Sequence, residues 1–93
     1  MKEESRIAKG DIVRSVRGRD GGSLLFVLEI DGEYLVLIDG KRRRVETPKR
    51  KQRKHTEFYR QGNCALAEKI KRGESILDRE IRRALAIVRA SED

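Results

Sequence analysis

The chain holds one cysteine, one histidine, one proline, no tryptophan and four other aromatic residues in 93 positions. Cys64 alone cannot close an intramolecular disulfide, and with only His55 beside it no four-ligand zinc site of cysteine and histidine can form within one chain. Disulfides and structural metal are therefore ruled out as sources of stability. Four aromatics are too few for the multiple stacking platforms of modules that read single-stranded bases, or for a cage around methylated lysine. Phe26 and Tyr34 fall in apolar strands and are expected in the core. Phe58 and Tyr59 either stack on a base or pack beneath the C-terminal residues, with packing favoured. No apolar run approaches the ~18 residues that span a membrane. The opening MKEESRIAKG lacks the apolar stretch of a signal peptide, so a cytoplasmic, non-membrane protein is expected.

Groups for catalysis are equally sparse. His55 sits among cations that disfavour its protonation. No Ser, Cys and His arrangement and no convergent carboxylates are visible. Cys64 stands at a helix start, where a thiolate is favoured, although a small buried helix residue is the better reading. The loop RGRDGG lacks the GxxxxGK[ST] pattern and precedes no helix, so its glycines serve turn geometry rather than nucleotide binding. The expectation is a non-enzyme with no catalytic residue, no metal and no cofactor.

Charge is what the chain has in abundance. Asp, Glu, Lys and Arg make up 42% of it against 37% hydrophobic residues, with a formal net charge of +7. The excess is local: residues 41–60 carry ten of the 23 Lys and Arg against Glu46 and Glu57, a formal +8, and the remainder holds 13 basic and 14 acidic residues. A stretch reading KRRRVETPKRKQRKHTEFYR on a near-neutral domain is an electrostatic footprint for a polyanion, nucleic acid foremost. The competing readings are a solvated tail and a nuclear localisation signal, which PKRKQRK resembles.

With 93 residues the chain forms one small domain. Residues 1–9 read as a loose polar arm. Between residues 11 and 47 short apolar strands alternate with turn residues, as in a compact all-β unit. Strands are expected at 11–16, 23–30, 34–39 and 42–47, in an antiparallel meander with two-residue hairpin turns at Asp31-Gly32 and Asp39-Gly40. Pro48 ends the fourth strand by withdrawing a ladder donor. The middle strands are apolar on both faces, so a second layer must cover the sheet. Residues 49–62 form a basic linker. After it the period turns helical: one helix from an Asn63 cap to Arg72 with Gly73 beyond its end, and a second from a Ser75-x-x-Asp78 start to about Ala90. Helices this short need the β unit to dock on. The fold class is thus mainly β with C-terminal α: a small barrel over 10–48, the linker, and a helical pair over 63–90.

Arg42, Arg43, Arg44, Lys49, Arg50, Lys51, Arg53 and Lys54 are the candidate phosphate contacts, because a guanidinium fork gives two parallel charge-assisted bonds and each neutralised phosphate releases counterions. Arg17 and Arg19 project from the glycine loop as secondary contacts, Arg19 as well placed for solvation as for contact. With few aromatics available, recognition is expected to rest on phosphate, sugar and shape rather than on base edges.

The segment GDIVRSVRGRDGGSLLFVLEIDGEYLVLIDGKRRRVETPKRKQRKH, about half the chain, resembles a KOW motif extended into the architecture of the large-subunit ribosomal protein L14e family. The resemblance rests on Gly10 and Asp11 before the first strand, Gly18 and Gly22 in the loop, the strand to Ile30, and VLIDG at residues 36–40 followed by basic residues. It departs at Ser23, where ribosomal relatives often carry Lys or Arg. The resemblance implies an SH3-like barrel and RNA binding, ribosomal RNA above all, in a ribosome-associated or translation role. The competing class is a protein-interaction module of the transcription or translation machinery, with ribosomal or transcription proteins as partners. A monomer is expected.

Overall fold

A computed structural model describes residues 7–18 and 21–91. Five strands, β1 (Ile12–Ser15), β2 (Leu24–Asp31), β3 (Tyr34–Ile38), β4 (Lys49–Gln52) and β5 (Thr56–Arg60), form one antiparallel sheet in the order β4-β3-β2-β1-β5. Two helices follow, α1 (Ala65–Lys71) and α2 (Asp78–Ala90). The coarse expectation of a mainly β unit with C-terminal helices holds.

Both faces of the sheet are covered, as the doubly apolar middle strands require. Alternation along each strand sends Val13, Leu25, Val27, Leu35 and Leu37 to the inside of the curl, where Ile7 joins them. Ile12, Leu24, Phe26 and Ile38 face the other way and pack against Leu66 and Ile70 of α1, Ile76, and Ile81 and Leu85 of α2. Residues 7–9 are therefore no loose arm: Ile7 is in the core, and the buried Asp11 carboxylate accepts hydrogen bonds from Ala8 N at 2.9 Å and from Gly62 N at 3.0 Å. Gly62 has no room for a side chain, since a methyl there would collide with the Gly10 carbonyl.

Three expectations are corrected. Residues 42–47 are a loop, and the fourth strand starts only after Pro48. The main-chain donors of this stretch find nearer partners than β3. One oxygen of Asp39 accepts from Lys41 N and Arg43 N, both at 2.9 Å, and the Arg43 carbonyl accepts from Asp39 N and Gly40 N at 2.8 and 3.1 Å. A short carboxylate that caps its own chain in this way competes with a ladder. The first hairpin turn likewise falls on Gly32-Glu33 rather than Asp31-Gly32, because Asp31 pairs with Tyr34.

The basic linker is the second correction. Residues 49–52 pair with β3 and 56–60 pair with β1, so the segment supplies both edges of the sheet. Edge strands are where cations belong, since charge there blocks pairing with another chain. One turn of 3-10 helix (Arg53–His55) joins these two edges. Arg53 N still bonds the Glu33 carbonyl beside β3 at 2.8 Å, and two residues later the His55 carbonyl accepts from Val16 N beside β1 at 3.0 Å. Two residues reach ~7 Å at most, whereas the edges of a flat five-stranded sheet stand ~19 Å apart. The sheet must curl until its edges nearly meet. Among the described residues no ladder joins β4 to β5, and the Lys51 ammonium bridges the seam by donating to the Arg17 carbonyl at 3.1 Å.

Third, neither helix starts as expected. Cys64 rather than Asn63 precedes α1, and it is exposed rather than buried. Leu77 precedes α2, where the Glu80 carboxylate reaches back to accept from Leu77 N at 3.1 Å; Ser75 makes no box with Asp78. Asp78 is employed elsewhere, accepting from Val45 N in the loop after β3 at 2.8 Å. Gly73, with φ +74°, stops α1 as expected.

Candidate nucleic-acid interface

The loop that carries Arg42, Arg43 and Arg44 is built from both ends. Asp39 staples its start, as above. α2 holds its middle and its base, through the Asp78–Val45 bond and through Arg82, which donates to the Gly40 carbonyl at 2.7 Å. Gly40 has φ +80°, and a Cβ there would lie 2.5 Å from the Asp78 carbonyl oxygen, so only glycine permits this approach. Arg42 and Arg44 are exposed and Arg43 is half-buried. The strand alternation expected of the three arginines is absent, because their order comes from the turn.

The same contacts bring Arg79, Arg82 and Arg83 of α2 to this end of the molecule. Their only early signal was density: three arginines in the first two turns of a helix whose first residue is an aspartate. The carboxylates that build the corner are occupied. Asp39 and Asp78 accept main-chain N–H groups, and Glu80 is held by Lys69 at 3.0 Å. The Lys69 hydrogen bond and the Leu77 N–H keep the Glu80 carboxyl below the usual carboxylate range.

From the loop the cations continue along β4. Lys49 and Lys51 share the side of Leu37 and Leu35, and Arg50 and Gln52 share that of Val36 and Tyr34. Lys49 is half-buried and Lys54 exposed. Arg53 donates to the Gly32 carbonyl at 3.4 Å. At the far end Arg17 and Lys51 meet across the seam, and His55 lies close enough to them to respond. Partial desolvation, then the charges of Arg17, Lys54 and Lys51, hold its pKa below the ordinary 6.5. Four residues of strand span about 10 Å, roughly one Debye length at 0.1 M salt. Loop and seam thus form one strip of charge. Arg19 lies outside the described residues.

Arg50 stands apart from the other cations. Its guanidinium is paired with Asp31 at 2.9 Å and lies over the Tyr34 ring, 4.0 Å from the centroid. Tyr34 is therefore not the core residue that its strand predicts but a half-buried one under an arginine; Phe26 is fully buried as predicted. Phe58 packs on the inner core layer and Tyr59 on the outer one, with Arg14 5.1 Å and Arg60 5.7 Å from the Tyr59 ring centroid.

A concavity lies away from β4, between the helices. It is a groove of about 650 Å³ lined by Ala65, Leu66, Lys69, Arg79, Arg83 and Ile87 among others, with Ile87 63% exposed. Among the described residues no group of three or more His, Cys, Asp and Glu could hold a metal ion, and no helix is long and apolar enough to cross a membrane. No protein-family model matches the chain, and no curated protein matches its sequence.

Proposed function

We propose that this protein is a KOW-type module with an SH3-like barrel that binds structured RNA, ribosomal RNA foremost, in a ribosome-associated role, and that it is not an enzyme. The strand order supports the barrel: β4 passes to β5 through one 3-10 turn and β5 returns to β1, which is the path of an SH3-like chain. The carrying observation is the stapled loop. A basic tail would be free to move, whereas residues 41–45 are held by Asp39, Asp78 and Arg82 before any ligand arrives. A main chain already held in place loses little entropy on binding, so more of the attraction of its cations appears as affinity.

Phosphate contact is the chemistry that such a strip offers. About six phosphates neutralised by Arg42, Arg43, Arg44, Lys49, Lys51 and Lys54 would make affinity fall ~10³-fold between 50 and 200 mM salt. Titrating salt against ribosomal RNA fragments, with duplex DNA as control, tests the assignment. Arg42, Arg43 and Arg44 all changed to Glu should weaken binding and cut the slope by at least half. Unchanged RNA affinity in that variant refutes it.

The helical groove, with Ile87 exposed on its floor, favours a second reading: a protein-interaction module of the transcription or translation machinery. The groove's apolar part, Ala65, Leu66, Ala84 and Ile87, would hold a partner with a much shallower salt slope than a strip of phosphate contacts. The same titration separates the two.

A further inference from the structure

Arg50 is poorly suited to the phosphate role that its neighbours fill. Its charge is matched by the Asp31 carboxylate at 2.9 Å, and a phosphate approaching it would also approach Asp31, whose side chain is 65% exposed. What the pair leaves available is a surface rather than a charge. The guanidinium carbon stands over the Tyr34 ring, 4.0 Å from the centroid, and one guanidinium nitrogen donates to Asp31 at 2.9 Å. The side chain is still 56% exposed, which leaves surface on it for a ligand. Gln52 follows on the same side of β4, its carboxamide donating to the Tyr34 hydroxyl at 3.2 Å. The helices cover the sheet over Ile12, Leu24, Phe26 and Ile38, and Tyr34 is outside that cluster.

We propose that the Arg50 guanidinium, held over Tyr34 by Asp31, is a stacking plate for one unpaired nucleobase of the bound RNA, with the Gln52 carboxamide at its edge. This rests on the RNA reading and goes beyond it, since phosphate and shape alone carry no preference for an unpaired residue. Guanidinium planes accept bases as aromatic rings do, and a neutral base, unlike a phosphate, is not repelled by Asp31. The clamp removes the side chain's rotational freedom before binding, so the stack forms with little loss of entropy. The plate is sequence-tolerant, because every base has a π-face. Arg50 faces the side of β4 opposite Lys49 and Lys51, but β4 is an edge strand, so the plate and the phosphate strip meet along one edge of the sheet. An unpaired nucleotide in an otherwise paired RNA fits both features.

The test uses the full chain and two short RNA duplexes that differ by one unpaired 2-aminopurine, with affinity and fluorescence read at fixed salt. The bulged duplex should bind at least ~5-fold more tightly, and its fluorescence should be quenched on binding. Arg50→Lys, which keeps the charge and loses the plane, should erase the difference and leave affinity for the paired duplex within ~2-fold. Tyr34→Leu, confirmed folded by circular dichroism, should erase it as well. Equal affinity for the two duplexes, an unquenched probe, or an Arg50→Lys protein that still prefers the bulge overturns the plate. Paired-duplex binding with a steep salt slope in that case leaves RNA binding standing; no binding of either duplex brings down both.

Discussion

Replacing Asp39 by alanine should weaken RNA binding even though it makes the protein more positive, and this reversal of sign separates a built loop from a merely charged one. In the wild type one Asp39 oxygen accepts both Lys41 N and Arg43 N at 2.9 Å. Without it the Asp78–Val45 bond and the Arg82–Gly40 bond still hold the loop at two points, so about two residues become free. Ordering them on the ligand costs ~1–2 kcal/mol each, ~2–4 kcal/mol together. The extra unit of net charge returns at most ~1 kcal/mol near a solvated phosphate. Affinity should therefore fall about fivefold or more at moderate salt. Asp39→Asn keeps an acceptor and raises the net charge equally, so it should bind within a few-fold of wild type. Fluorescence anisotropy on one RNA reports the affinities, and amide hydrogen exchange reports Lys41 and Arg43, which should lose protection in the alanine variant alone. An alanine variant that binds as tightly as wild type, with the Arg43 amide still protected, would show the staple to be irrelevant.

Three further outcomes follow from the contacts. Asp11→Ala strips the partner from the buried Gly62 N–H and from Ala8 N–H and should destabilise the fold by ~2–4 kcal/mol in urea denaturation; a loss under ~1 kcal/mol would contradict the assigned bonds. His55 is held below 6.5 in the free protein by desolvation and by Arg17, Lys54 and Lys51. Stability should decline once pH falls below 6.5 toward the folded pKa, because the unfolded chain takes up the proton first. A phosphate at the seam screens those cations and raises the pKa, so RNA affinity should increase over the same window, and His55→Gln should flatten both dependences. Finally, Arg79→Ala with Arg83→Ala should lower the salt slope by about two phosphates if α2 joins the loop in contacting RNA; an unchanged slope would confine the interface to the loop and β4.

Strands β1 to β3 were legible in the residues, because apolar alternation between turn residues is a local signal that the sheet only had to accept. Strands β4 and β5 were not, because KRKQ and TEFYR look like linker. What makes them strands is their neighbours, Leu35 and Leu37 on one side and Ile12 and Val13 on the other. An edge strand needs few apolar groups of its own when its partner is already buried. The loop of residues 41–47 was misread for a related reason: its choice between extension and a turn depends on Asp78, 33 positions away. Tyr34 was placed in the core from its strand, and only the register with β4 put Arg50 above it.

By itself the sequence determined the size of the excess positive charge, the stretch that carries it, the lack of metal-ligand and aromatic sets, and the order of strands before helices. Those properties are sums and local patterns, which any fold of the chain preserves. The tertiary structure alone decided that both sheet edges come from the basic segment, that α2 arginines join the loop of residues 41–47, and that Arg50 is spoken for by Asp31. These are distances between residues far apart in the chain, and they exist only once burial of the two apolar layers has curled the sheet.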